Sequence, residues 1–301
     1  MRVFVTGASG FIGSAVVPEL IGAGHRVVGL ARSEASAAAL RAAGAEVQRG
    51  DLDDLDSLRA AAGASDGVIH LAFIHDFSQF AASARTDQRA IEALGAALEG
   101  SGKPLLIASG TLGLAPGRVT TENDQPDSAA PASPRQAGVQ TALSFAGRGV
   151  RPSIVRLAPS VHGPGDHGFV ARLVDIAREK GVSGYIGDGS NRWPAVHRLD
   201  AARLFRLALD KAPAGSSLHA IADQGIPIRD VAEVIGRHLK LPVVSIPASD
   251  AGSHFGWLGG FLGFDAPASN ALTQTMLGWQ PTHPGLLEDL EMGHYFDRGS
   301  R

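Results

Sequence analysis

The feature that most constrains the fold is a glycine-rich octet, TGASGFIG, at residues 6–13. It follows directly on residues 2–6, a β-branched and aromatic run typical of a strand, and it leads into helical apolar spacing. In that context Gly7 permits a tight turn, Gly10 lets backbone amides approach a phosphate, and Gly13 lets the helix pack close to the strand. We therefore expect a dinucleotide pyrophosphate to bind here, with an ordinary βα turn as the alternative. The predicted contacts are Gly7, Ser9, Gly10, Phe11, Ile12 and Gly13.

The rest of the first half alternates short apolar runs with alanine-rich helical segments. Such alternation predicts an α/β fold, a doubly wound parallel Rossmann-type sheet with helices on both faces. Strands are predicted over residues 2–6, 26–30, 45–48, 67–71 and 104–108, and helices over 11–21, 33–40, 54–62 and 80–98, with Ser33 as an N-cap.

The pattern changes in the second half of the chain. A long loop is predicted over 112–134, followed by a helix over 135–147 and a strand over 153–157. Beyond Pro159 we predict helices over 169–180, 200–210 and 228–239, with a short strand near Tyr185. We expect a Rossmann domain over 1–158 with a returning segment at about 195–222, and a smaller C-terminal substrate lobe over 159–301 interleaved with it.

Composition excludes several classes of function. The net charge is −3 with both signs mixed, which argues against binding to nucleic acid. No apolar run is long enough for a membrane span, and the N-terminal strand leaves no room for a signal peptide. Cysteine is absent, which removes disulfides, thiolate metal sites and cysteine nucleophiles and fits a reducing compartment. We expect a cytoplasmic protein without a metal site.

The end of the second predicted strand indicates which nicotinamide cofactor binds. A carboxylate that binds the ribose is expected about 20 residues beyond the glycines. The chain instead has Arg32 and Ser33, which can donate to a 2′-phosphate. This favours NADP, in its reduced form NADPH, while nearby Glu34 keeps NAD as the alternative.

Several later segments, taken with the octet, resemble the extended and atypical short-chain dehydrogenase/reductase family, which includes epimerases, dehydratases and carbonyl reductases. The segments occur in the family's order over residues 1 to about 210. They are GDL at 50–52, HLA at 70–72, VRLAPSVHGPG at 155–165, GDG at 187–189 and VHRLDAA at 196–202.

The resemblance also implies cofactor contacts outside the octet. Asp51 and Leu52 would bracket the adenine. The segment Leu71, Ala72 and Phe73 would pass the ribose, while Pro159 and Val161 would line the nicotinamide. It further suggests a homodimer as one partner arrangement, because relatives often pair through the helices after the fourth and fifth strands.

The chain departs from the family at the catalytic centre. Relatives use Tyr-x-x-x-Lys on the helix after the fifth strand, but the only tyrosines here are Tyr185 and Tyr295, and no lysine lies between Lys103 and Lys180. Arg135 could keep the cationic role, although an arginine cannot act as the proton donor.

Other residues could complete the catalytic site. Thr111, or Ser109 beside it, could hydrogen-bond a carbonyl, with a loop hydroxyl bonded to backbone as the alternative. His162 occupies the position where relatives have a tyrosine, and a histidine could deliver the proton. For His162 and the neighbouring His167, polar loop residues are the alternative interpretation, and a metal pair is disfavoured because no third ligand has informative spacing.

These observations predict an NADPH-dependent oxidoreductase that reduces a small carbonyl substrate with a non-standard proton donor, such as His162, a water or a network ordered by Thr111. One alternative is an epimerase or dehydratase that uses bound NAD(P). The other is a non-catalytic NADP-binding redox sensor, since regulators of that kind keep the fold and lack the tyrosine.

Overall fold

The computed structural model describes residues 1–76, 79–115, 117–125 and 133–297. The strands are β1 (Arg2–Thr6), β2 (Arg26–Ala31), β3 (Glu46–Arg49), β4 (Gly67–His70), β5 (Pro104–Gly110), β6 (Arg151–Leu157), β7 (Ser160–His162), β8 (Ser183–Ile186), β9 (Arg192–His197), β10 (Ser216–Ala220), β11 (Asp223–Pro227) and β12 (Val243–Ile246).

The helices flank these strands and continue into the C-terminal segment. They are α1 (Gly13–Gly22), α2 (Glu34–Ala42), α3 (Leu55–Gly63), α4 (Phe80–Ala96), α5 (Ser133–Ser144), α6 (Phe169–Lys180), α7 (Arg198–Lys211), α8 (Ile228–Leu239), α9 (Ala251–Phe255), α10 (Gly259–Leu262), α11 (Ala271–Leu277) and α12 (Leu286–Glu291).

Seven parallel strands form the central sheet in the order β10-β6-β5-β4-β1-β2-β3. Alternate residues of β1 point to opposite faces, so Val3 and Val5 pack with α1, α2 and α7, whereas Phe4 packs with α3, α4 and α5. The predicted doubly wound fold is confirmed. The strand order reverses between β1 and β4, and ligands of such sheets bind at the carboxyl ends of the strands near that point.

Local signals account for several helix boundaries. The predicted N-cap is confirmed, because the Ser33 hydroxyl oxygen accepts from the Ser36 amide at 3.1 Å. Asp54 caps α3 in the same way by accepting from the Ser57 amide at 3.1 Å.

A smaller body is built around two further sheets. Strands β11, β9 and β7 form one, and β12 and β8 form the other. Helices α6, α8 and α9 pack on these strands around a separate apolar core that includes Trp193 and Phe255. Strand β10 leaves this part of the chain and pairs with β6 in the central sheet. The domain boundary at residue 158 stays a prediction.

Some predicted boundaries and elements differ from the structure. The third strand is shifted by one residue, β5 runs on to Gly110, and α5 begins at Ser133. Strands β7, β9, β10, β11 and β12 and the helices after residue 250 were not predicted, because they are short and their apolar residues have no clear period. Residues 116 and 126–132 of the predicted 112–134 loop lie outside the described residues. Within the described residues, the helices fall short of the length and apolarity needed to cross a bilayer.

Candidate active site

The glycine-rich octet forms the turn between β1 and α1. Gly7 has φ +65°, and a Cβ on it would lie 2.7 Å from the Ala72 backbone nitrogen. A Cβ on Gly13 would lie 2.1 Å from the Gly7 carbonyl oxygen, so α1 reaches this turn only because residue 13 is glycine. Ser9 and Gly10 are exposed at the tip. The turn therefore has the shape and open backbone that a pyrophosphate requires.

A buried polar chain supports this turn from below. The Thr6 hydroxyl lies 2.8 Å from His70 Nδ1 and also accepts from the Ala72 amide at 3.3 Å. His70 Nε2 lies 3.1 Å from an Asp87 carboxylate oxygen on α4. From the sequence, His70 is recognisable only as part of the HLA motif. Its hydrogen-bond partners could not be predicted, because Thr6 and Asp87 lie 64 and 17 residues away along the chain. These hydrogen bonds connect the glycine-rich turn to the segment after β4.

The predicted adenosine end of the cleft lies where β2 meets α2. Arg32 is exposed immediately before the N-cap Ser33. The alternative ribose ligand, Glu34, is held by two arginines: Arg41 Nη1 lies 2.9 Å from one carboxylate oxygen, and Arg49 pairs with the other. Glu34 is thereby paired at the surface, which leaves Arg32 beside the N-terminus of α2, where Ser33 caps the Ser36 amide.

The Asp51 and Leu52 pair follows β3. Asp51 Oδ1 accepts from the Asp53 and Asp54 amides at 2.9 and 3.1 Å, which fixes the turn into α3. Leu52 is half-buried and packs against the core under β1 and β2. Asp51 and Leu52 thus lie in a fixed turn at the carboxyl end of β3, next to β2.

The residues predicted to contact the ribose and the nicotinamide follow β4 and β6, two strands that β5 separates in the sheet. Leu71, Ala72 and Phe73 follow β4 and are half-buried. Pro159 and Val161 follow β6, and Val161 packs on the core of the central sheet. The segment after β4 lies at the reversal point of the strand order, and Pro159 and Val161 lie two strands away, after β6.

Arg135 on α5 reaches into the same cleft. Its Nη2 donates to the Ala108 carbonyl oxygen on β5 at 2.9 Å, and its guanidinium lies 4.1 Å from the centre of the Phe73 ring. Burial lowers the pKa of Arg135, and the charge of Asp87 opposes that shift. Arg135 therefore places a largely desolvated cation beside Phe73, in the segment predicted to pass the ribose.

Thr111 stands directly after β5, as predicted, but it is buried. Its amide donates to the Leu157 carbonyl oxygen at 3.0 Å, and its hydroxyl lies 3.4 Å from the same oxygen. This is the backbone-bonded geometry named as the alternative interpretation. A catalytic role for Thr111 stays a prediction.

His162 is the last residue of β7, in the smaller body. The side chain is 0% exposed, and Nδ1 lies 2.9 Å from an Asp289 carboxylate oxygen on α12. Its ring also meets the His197 ring edge-on at 5.4 Å. A catalytic role for His162 stays a prediction, and the mechanism proposed below does not depend on it.

Two other histidines face the cleft. The His167 ring meets the Phe11 ring of the octet edge-on at 5.7 Å. His75 packs on Phe73 at 5.3 Å, and partial burial and the positive charge of Arg135 lower its pKa, with a smaller contribution from His167. His75 lies five residues after the end of β4. Because ligands bind at the carboxyl ends of such strands, this position could have identified His75 as a candidate site residue.

The fold and this cleft together define a dinucleotide-binding Rossmann protein of the oxidoreductase type. Residues 3–221 match the model of the NAD dependent epimerase/dehydratase family, and the chain belongs to that family. It is an NAD(P)-binding enzyme with the short-chain dehydrogenase/reductase architecture predicted from the motifs.

Curated relatives align with most of the chain. An uncharacterized protein of Schizosaccharomyces pombe is 52% identical over 98% of this chain and 100% of its own. A ketoreductase of Stigmatella aurantiaca, which acts on 4-hydroxy-2-methyl-3-oxo-4-farnesyl-3,4-dihydroquinoline-1-oxide, is 26% identical over 85% of this chain and 80% of its own.

Solved structures share the fold. The dTDP-glucose 4,6-dehydratase DesIV from Streptomyces venezuelae, solved with NAD, has a TM-score of 0.78 at 21% identity and covers 97% of this chain and 96% of its own. A UDP-glucose 4-epimerase from Thermotoga maritima has a TM-score of 0.76 at 21% identity, with 98% of each chain covered.

Proposed function

We propose that the chain is an NADPH-dependent reductase of a small carbonyl compound. The observation that carries the proposal is the Arg135 guanidinium, which α5 holds over Phe73 at the carboxyl ends of β4 and β5. The similarity to the Stigmatella ketoreductase supports the same reaction class.

The preference for NADPH rests on the adenosine end. Arg32 is exposed at the start of α2, while Arg41 and Arg49 hold Glu34. A guanidinium recognises a phosphate with charge-assisted hydrogen bonds, and the N-terminus of α2 adds a favourable partial charge. The octet would hold the pyrophosphate, and Asp51 and Leu52 would border the adenine.

When bound, the nicotinamide supplies the hydride. Arg135 stabilises the negative charge that develops on the carbonyl oxygen, because a desolvated cation acts strongly in a site that excludes water. Arg135 keeps its own proton, since guanidinium groups stay charged. His75 and His167 lie beside Arg135 and Phe11, and we assign to them the transfer of a proton from solvent to the alkoxide.

Variants of Arg135 test whether the protein catalyses reduction or only binds the cofactor. We expect the wild-type protein to oxidise NADPH in the presence of a carbonyl compound. Arg135→Met should lower kcat by about 100-fold or more because the developing charge loses its partner, and Arg135→Lys should recover part of the rate. The measurement is the decrease of NADPH absorbance, with NADPH affinity and circular dichroism followed in parallel.

Two outcomes would contradict the proposal. If Arg135→Met binds NADPH and turns over like the wild type, Arg135 has no role in the reaction. If the wild type binds NADPH but reduces no member of a broad carbonyl panel, the redox-sensor alternative is favoured. The composition of α5, which contains neither tyrosine nor lysine, is the observation behind that alternative.

We also infer a cytoplasmic location, because a chain without cysteine fits a reducing compartment. The homodimer suggested by the family resemblance remains a proposal, and sedimentation of the purified protein tests it.

A further inference from the structure

Aromatic side chains form a continuous wall in the smaller body. The Phe169 ring, at the start of α6, lies 5.4 Å from Trp193 and 5.6 Å from Trp257. Trp257 lies 6.4 Å from Phe261, which lies 6.5 Å from Phe264. Trp193 is only 2% exposed, but Trp257 and Phe264 are 43% and 41% exposed. We call these five residues the aromatic wall.

The aromatic wall connects to the cofactor cleft at two points. Phe169 follows His167 by two residues, and the His167 ring contacts Phe11 of the octet. Leu112, the residue after Thr111 at the end of β5, packs against the same apolar cluster as Phe169. At its Phe169 end, the aromatic wall therefore lies close to the glycine-rich turn and to the end of β5, and its Trp257 and Phe264 rings are exposed to solvent.

The charges beside the aromatic wall disfavour an anionic ligand. An adjoining cavity of about 460 Å³ contains one guanidinium, from Arg192, and two carboxylates, from Asp188 and Asp265. Arg192 is engaged by Asp265, with Nε–Oδ1 and Nη2–Oδ2 distances of 3.0 and 2.9 Å. Hydrogen bonds from Ser190 lower the pKa of Asp188, which keeps it charged. The lining of this cavity thus carries net negative charge and offers a diphosphate no unpaired guanidinium, next to an exposed aromatic surface.

We propose that the aromatic wall binds the body of the substrate, and that this substrate is an uncharged aromatic or branched apolar carbonyl compound rather than a nucleotide diphosphate. Exposed aromatic rings contribute most binding free energy when they cover the apolar surface of a ligand, and stacking on an aromatic ligand adds to it. The inference rests on the proposed reductase function, since it concerns the substrate of the same site.

Fluorescence of Trp257 provides a binding test that is independent of turnover. The chain has three tryptophans, and Trp193 and Trp279 are buried at 2% and 0% exposure, so quenching by neutral acrylamide reports mainly on Trp257. We expect 4-biphenylmethanol, an apolar alcohol that cannot be reduced, to protect the NADPH-loaded protein from quenching. UDP-glucose should give no protection at the same concentration.

Kinetics with variants provide the second test. Trp257→Ala should raise KM for 4-phenylbenzaldehyde by about 10-fold, leaving kcat and NADPH affinity within about threefold, because only apolar contact is lost. Phe264→Ala should act in the same direction if Trp257→Ala folds poorly. Met276→Ala is the matched control, since Met276 is 45% exposed on α11, which packs on α7 and β10.

The outcomes separate this inference from the proposed function. Protection of Trp257 by the alcohol without reduction of any carbonyl supports the aromatic wall as a binding site and contradicts the reductase function. Reduction of carbonyls with no protection, unchanged KM in both wall variants, or preferred turnover of a nucleotide sugar would overturn the inference.

Discussion

At the residue scale, the charge at the adenosine end of the cleft depends on which side chains are already paired. Glu34 is near enough in sequence to bind a ribose, but Arg41 and Arg49 hold its carboxylate. Arg32 stands exposed at the N-terminus of α2. A 2′-phosphate placed there meets a guanidinium and a helix N-terminus, whereas a 2′-hydroxyl gains little from either.

Arg32→Ala should therefore weaken NADPH binding by about 10-fold to 100-fold, since hydrogen bonds to charged groups contribute about 1.5–3 kcal/mol. NADH binding should change little. Fluorescence titration with both cofactors measures the effect. Arg59→Ala on α3, which removes the same charge from an exposed pair with Asp56, is the control. Equal losses for NADPH and NADH would show that Arg32 does not read the 2′-phosphate.

Residue roles were predictable where the reason for the residue is local. Gly7 and Gly13 are required by a turn and a helix start a few residues away, so spacing alone identifies them. His162 was predicted as a candidate acid because its position resembles that of a tyrosine in relatives. Its partner Asp289 lies 127 residues further along the chain, and no local pattern could reveal that contact.

At the element scale, six of the seven strands of the central sheet were predictable, because most of them are apolar runs separated by amphipathic helices. The strands buried on both faces, such as β1 and β4, give the strongest signal. In the smaller body, only some of the helices and one strand were predicted from the sequence. Its strands β7 and β8 have three and four residues, and the helices α9 and α10 have five and four, too short to show a period.

At the scale of the whole molecule, the C-terminal segment joins the central sheet to the smaller body. The Thr282 and His283 amides donate to the buried Asp200 carboxylate on α7 at 3.0 and 2.9 Å. Asp289 on α12 lies against His162 of β7. His197, between them, stacks on His283 at 4.9 Å. Titratable groups thus concentrate where the two parts of the fold meet.

This cluster makes stability depend on pH. Burial, with repulsion from His162, lowers the pKa of His197 to about 4, although Asp289 and Asp200 act against that shift. An unfolded histidine titrates near pH 6.5. As the pH falls from about 6.5 toward 4, the unfolded chain binds a proton that the folded chain excludes, so the free energy of unfolding decreases.

At about 1.4 kcal/mol for each unit of pKa, His197 should account for up to about 3 kcal/mol of this loss by pH 4. His197→Gln should flatten the pH dependence of the unfolding free energy over that interval. Urea unfolding of both proteins at a series of pH values measures the difference. Curves that stay parallel from neutral to acidic pH would mean that His197 takes up its proton at the same pH in the folded protein as in the unfolded chain.

The central claim is that the turn from β1 to α1 holds a dinucleotide, and titration of the purified protein with NADPH tests it most directly. Energy transfer from tryptophan to the nicotinamide should saturate for the wild type and for Gly22→Ala, where an added Cβ meets no atom within 4 Å. Gly13→Val should bind about 100-fold more weakly or not at all while remaining folded by circular dichroism, because its side chain would overlap the Gly7 carbonyl. A folded wild-type protein that binds neither NADPH nor NADH would contradict the account.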